Sequence, residues 1–172
     1  MTRFRPRLAW LALAAVSASA VTLSLVLTSW FHQDPCHLCV FQRFLFMVLT
    51  GLTLAAASGA THLVGRLFGS LAVLTAAGGA AVAGYQSWLQ LREPEGLGLG
   101  LCSAGDPGLI ERFVDWLGTQ VPSLFVATGF CEEDGVALLG LTLANWTMIA
   151  FAVCLAITVW ILWRSRSHNG PI

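Results

Sequence analysis

An all-α membrane protein, folded as a four-helix transmembrane bundle, is predicted by three observations. Charge is scarce: 10% of the 172 residues are charged against 56% hydrophobic, and the mean hydropathy is +0.75. A water-soluble domain carries about 25% charged residues, so this chain has too few to cover a wet surface. Four runs long enough to cross a bilayer carry no charge or one, and the arginines gather at alternate ends of those runs. Such a composition excludes a soluble enzyme and a disordered chain. A net charge of +0 without a basic tract excludes a nucleic-acid partner.

The first run, Leu8–Phe31, has 24 residues without a charge. About 20 apolar residues at 1.5 Å rise cross a hydrocarbon layer about 30 Å thick, so this run spans. Arg3, Arg5 and Arg7, then Leu8–Val16, then Ser17-Ala18-Ser19-Ala20 also have the form of a cleavable leader. The apolar run continues through Val21–Phe31 rather than stopping there, so a retained first span over 8–31 is expected. A short outer loop, about 32–39, follows. The second run, Val40–Ala60, has 21 residues and the single charge of Arg43, and the third, Leu67–Leu89, has 23 and none. Both contain all-small stretches, Ala55–Ala60 and Ala76–Ala81. Small residues let helices approach closely in lipid, although a plain bias toward Ala and Gly gives the same pattern. The fourth span, about 141–163, lies within the 28 uncharged residues Val136–Trp163. The whole chain, 1–172, reads as one four-span domain.

Arginine sets the orientation. Arg3, Arg5, Arg7, Arg66, Arg164 and Arg166 occupy the N-terminus, the turn between the second and third runs, and the C-terminus. Four spans put these segments on one side, and the arginine excess makes that side cytoplasmic. All nine acids fall on the opposite side. Trp10, Trp30, Trp88, Trp160 and Trp163 lie near span ends, where indoles favour the membrane interface.

The second outer loop, about 90–135, is too long to be a plain connection. It opens with Gly96, Gly98, Gly100, Gly105 and Gly108, which reads as a mobile tether. From Leu109 to Leu117 the apolar positions 109, 110, 113, 114, 116 and 117 alternate with polar 111, 112 and 115 in a helical period. Such a helix either lies on the membrane surface with Trp116 among the headgroups or caps the end of the bundle.

Of the five cysteines, Cys36, Cys39, Cys102 and Cys131 fall in the two outer loops and Cys154 in the fourth span. An outer compartment is oxidising, so the four are expected to pair. A metal site is disfavoured because Cys102 and Cys131 lack the close spacing of a second ligand pair. Haem attachment needs a His directly after the second cysteine, and Val40 stands there. Two inert disulfides remain an alternative, but a Cys36–Cys39 bridge closes a loop too small to stabilise much. Close-spaced cysteines favour redox work.

Cys39 stands at the expected start of the second span, where unsatisfied N–H groups and the helix dipole favour a thiolate. Arg43 lies one turn inward on the same face. A charge within a span costs roughly 2.5–3.5 kcal/mol at the bilayer centre, which makes it a functional candidate, unless it snorkels to the interface. Beside a redox-poised cysteine, an arginine suits an acceptor reduced through anionic forms, such as a lipid-soluble quinone.

The stretch Pro35-Cys36-His37-Leu38-Cys39-Val40-Phe41-Gln42-Arg43 resembles the first-loop motif of the DsbB family of membrane disulfide bond formation proteins. Val121–Cys131 resembles the segment leading to that family's last essential cysteine. The resemblance covers essentially the whole chain. It implies a quinone-dependent protein-disulfide oxidoreductase of the bacterial inner membrane that reoxidises a periplasmic DsbA-like thioredoxin-fold protein. By that resemblance Cys102 is attacked by the partner and pairs with Cys131, which exchanges with Cys36–Cys39. Cys39 then passes electrons to ubiquinone or menaquinone held by Arg43. Two positions depart from the family pattern: Gln42 stands where members can carry an acid, and the third span ends in Gln86 and Gln90 where they can carry His or Arg. Gln86 and Gln90 remain candidates to hydrogen-bond a quinone carbonyl. His37 is a candidate to tune the thiolates, or a bystander. A bundle resembling the vitamin K epoxide reductases is the rival enzyme class, and a scaffold with structural disulfides the rival outside enzymes.

Overall fold

A computed structural model describes residues 6–31, 34–59, 62–92, 108–129 and 140–167. Those residues form helices α1 (Pro6–Phe31), α2 (His37–Ser58), α3 (His62–Arg92), α4 (Leu109–Gln120), α5 (Pro122–Phe125) and α6 (Leu143–Ser167). Four of these, over Pro6–Trp30, His37–Ser58, Leu63–Leu91 and Leu143–Ser165, are long and apolar enough to cross a membrane. Lipid offers no hydrogen bonds, so a spanning backbone must satisfy its own polar groups, and the helix does so. Buried hydroxyls follow the same rule: Ser17, Thr53 and Thr158 donate to the carbonyls of Leu13, Leu49 and Cys154, four residues back.

The helices run past the expected boundaries. α3 starts at His62 rather than near Leu67, because His62 to Arg66 contains no helix breaker other than Gly65. Arg66 therefore sits on α3 and not in the preceding turn.

Consecutive spans pack side by side, α1 on α2, α2 on α3 and α3 on α6, and α1 closes against α6. The core between them holds Leu13, Phe46, Leu49, Phe151, Cys154 and Ile161 against Ala72, Ala76 and Ala83. Phe46 and Phe151 stack at 3.9 Å with 14° between their planes. Phe151 lies flat on the backbone of Gly79, where a Cβ would overlap its ring, whereas a Cβ at Gly78 would meet nothing. The small stretch of α3 is thus a packing surface on one face only. Trp10, near the start of α1, turns into the bundle: it is 5% exposed and packs over Gly69, beside Leu162. Trp30, Trp88, Trp160 and Trp163 are exposed.

α4 packs against the N-terminal end of α2. Glu111 accepts the Gly108 N–H at 2.8 Å and secures the first turn. Val114 is fully buried against Val40 of α2 and Phe125 of α5, and Phe113 meets Phe41 and Phe44 edge-on. Leu109 and Trp116 face outward. The glycine tether, 93–107, lies outside the described residues.

Candidate redox site

The site is built on the first turn of α2. Cys36 is its N-cap, with extended backbone (φ −75°, ψ 162°), and its sulfur accepts the Cys39 N–H at 3.3 Å. An N-cap side chain takes one of the orphan donors of a helix start, a place usually held by Ser, Thr, Asp or Asn. The helix start therefore serves Cys36 directly, and Cys39 stands at the third helical position, within the same first turn. Three residues of helix bring the two Sγ atoms to 2.7 Å. Cys36 is buried beside Leu38, and Val82, Tyr85 and Leu89 of α3 and Ile110 of α4 enclose the pair.

One turn inward, Arg43 is 4% exposed and does not snorkel. Its Nε donates to Ser24 Oγ at 3.2 Å, and its two terminal nitrogens donate to Thr28 Oγ1 and to the Leu124 carbonyl, each at 2.9 Å. A guanidinium in apolar surroundings is tolerable only when its donors are met, and here α1 and α5 meet three of the five.

The second loop comes to the same place. The Thr128 and Gly129 N–H groups donate to the Pro35 carbonyl at 3.1 and 3.2 Å, Gly129 bridges to Cys36, and Thr128 Oγ1 donates to Asp34 at 2.7 Å. A Cβ at Gly129 would run into the Asp34 carbonyl. The chain two residues before Cys131 is thereby strapped to the chain one residue before Cys36. Cys131 and Cys102 themselves lie outside the described residues. Gly129→Ala is expected to break the strap and its two backbone bonds, at about 1 kcal/mol each, and slow partner-dependent turnover about tenfold. Exchange of the Cys36–Cys39 pair with dithiothreitol should not change; unaltered turnover would show the strap to be idle.

The family model for disulfide bond formation protein DsbB matches residues 6–161. The chain belongs to the DsbB family. Relatives named disulfide bond formation protein B agree along nearly the full length. That of Dechloromonas aromatica is 38% identical over 165 residues, 92% of this chain and 94% of that protein. Those of an Azoarcus species and of Nitrosomonas europaea are each 32% identical, covering 91% and 95% of this chain and 92% and 97% of theirs. The resemblance read from the cysteine loops thus holds over most of the chain, a multi-pass membrane protein of a disulfide-forming oxidoreductase family.

Within this DsbB frame, the structure adds contacts that the sequence did not announce. Gln86 donates to Cys39 Sγ at 3.1 Å and Cys36 Sγ at 3.4 Å, so its amide meets the sulfurs themselves. Gln42 donates to Gln86 Oε1 at 2.8 Å, and both glutamines are buried. Gln90 accepts from Thr142 at the start of α6, at 2.9 Å. Ser24 and Thr28, the anchors of Arg43, went unnoticed. Their signal was two hydroxyls four apart on one face of an apolar span. His37 turns toward Asp115 of α4, at 3.1 Å, and so ties α4 to the mouth of the site.

Proposed function

We propose that this chain is a thiol oxidase of the bacterial inner membrane, with both termini cytoplasmic and the cysteine loops periplasmic. It reoxidises a DsbA-like thioredoxin-fold partner and delivers the electrons to the membrane quinone pool. One observation carries the reading: two cysteine sulfurs 2.7 Å apart stand on the first turn of a span whose next turn holds a buried arginine.

In this reading Cys102 takes the attack of the partner's thiolate, and resolution leaves the partner oxidised and Cys102 and Cys131 reduced. Exchange of that pair with Cys36–Cys39 moves two electrons to the second pair, and the strap at Gly129 keeps the two loops together for it. Arg43 would hold the acceptor: three of its five donors are engaged by Ser24, Thr28 and Leu124, and the other two suit a quinone oxygen. A bound quinone supplies a sink for two electrons and two protons. Such a sink matters, because stable disulfides near −300 mV lie about 8 kcal/mol below a DsbA-like partner near −120 mV.

The test uses purified protein in detergent, without oxygen, with a short-chain quinone and a reduced thioredoxin-fold oxidase. Loss of quinone absorbance that requires both protein and partner is expected. No loss, with partner and quinone shown to be competent, would favour a scaffold with structural disulfides.

A further inference from the structure

The amide of Gln86 faces both sulfurs of the pair from the opposite helix. Its nitrogen lies 3.1 Å from Cys39 Sγ and 3.4 Å from Cys36 Sγ, and the residue is 3% exposed. An amide NH2 carries two hydrogens, so one group serves two sulfurs at once. Gln42, 2% exposed, donates to the Gln86 oxygen at 2.8 Å. In that arrangement the Gln86 oxygen is committed and its nitrogen is left to face the cysteines. Arg43 directs its donors to Ser24, Thr28 and Leu124, and His37 turns to Asp115.

Hydrogen bonds to an ionised acceptor are roughly twice as strong as those between neutral groups. The sulfur of a thiol or disulfide accepts weakly, whereas a thiolate accepts well. We propose that Gln86, oriented by Gln42, is a hydrogen-bond donor that stabilises the thiolate on either cysteine and so makes the Cys36–Cys39 disulfide a stronger oxidant. The proposal rests on the thiol-oxidase reading of this site. When an incoming thiolate attacks one sulfur of the disulfide, a new S–S bond forms there, the old one breaks, and its electron pair leaves on the other sulfur. Gln86 already touches both possible leaving positions, so no side chain has to move to receive the charge. Gln42 acts through Gln86 and is a positioning residue.

The measurement uses the full chain in detergent, without quinone or partner, equilibrated against a series of dithiothreitol ratios. The Cys36–Cys39 peptide is then scored by alkylation and mass spectrometry. Gln86→Leu keeps the volume and removes the donor. It is expected to shift the equilibrium about tenfold toward the disulfide, the loss of one bond to a charged acceptor, or about 30 mV for two electrons. Iodoacetamide labelling of the reduced pair near pH 7 should slow about fivefold, because less of it is thiolate. Gln42→Leu lets the Gln86 amide turn and should move both readouts the same way, by about two- to threefold. Cys154, 1% exposed in the core, reports on the fold, since it labels only when the bundle opens. If Gln86→Leu exposes Cys154, Gln42→Leu decides by the same criterion. Unchanged equilibrium, a shift toward the dithiol, or a shift toward the disulfide without slower labelling overturns the proposal. Neither readout involves quinone or partner, so failure of the electron relay would appear separately, as absent quinone loss in the unaltered protein.

Discussion

Cys39→Ser is expected to bring partner-dependent quinone reduction to background and to limit the protein to a single oxidation of its partner. Serine fits the third helical position, and its hydroxyl can take the Gln86 donor that meets Cys39 Sγ at 3.1 Å, so the fold should hold. What is lost is the sulfur that closes the Cys36–Cys39 bond. Electrons arriving from the second loop then have no disulfide to reduce. The partner should be oxidised at most once per protein molecule, leaving Cys102 and Cys131 as thiols that alkylation and mass spectrometry detect. Cys102→Ser should be equally inactive and oxidise no partner at all. Turnover above about a tenth of the unaltered rate in Cys39→Ser would remove Cys39 from the relay, since loss of a covalent nucleophile ordinarily costs several orders of magnitude.

Arg43→Lys should lower the quinone-reduction rate about a hundredfold with the positive charge retained. The guanidinium reaches Ser24 and Thr28 on α1 and the Leu124 carbonyl on α5 from three different nitrogens. An ammonium is a point donor on a flexible stem and cannot keep that fork. Losing two bonds from a charged donor, at about 1.5–3 kcal/mol each, is ample for the effect, and a lone buried carbonyl at Leu124 adds to it. Dithiothreitol exchange at Cys36–Cys39 should stay within about twofold, because the sulfurs are held by the helix start and Gln86 rather than by Arg43. Equal losses in both assays would mean that Arg43 supports the cysteine turn instead of the acceptor.

The spans, their order and the gathering of Cys36, Cys39 and Arg43 on one helix end were legible in the sequence. Charge spacing and covalent proximity fix those features. The partners of these residues were not legible, because they depend on how helices rotate about their axes and which loop segments meet. Gln86 and Gln42 are 44 positions apart, and only the packing of α2 on α3 makes them neighbours. Trp10 shows the same limit: its place near a span end was readable, but the turn of α1 that sends it inward over Gly69 was not. The contact of Thr128 with Asp34 joins residues 94 apart, and no local pattern announces it. Gly129 gave a hint only in retrospect, as a residue whose missing side chain admits another backbone.

The strap that joins Thr128 and Gly129 to Pro35 also has a kinetic meaning. Cys131 follows Gly129 by two residues, and two residues of chain reach at most about 7 Å. Any group held within that reach shares a volume on the order of 10³ Å³, a local concentration of about 1 M, against the millimolar values of a short flexible linker. In the proposed relay, exchange between the loops would be a first-order event, and encounters with the partner and with the quinone would be the steps that respond to dilution.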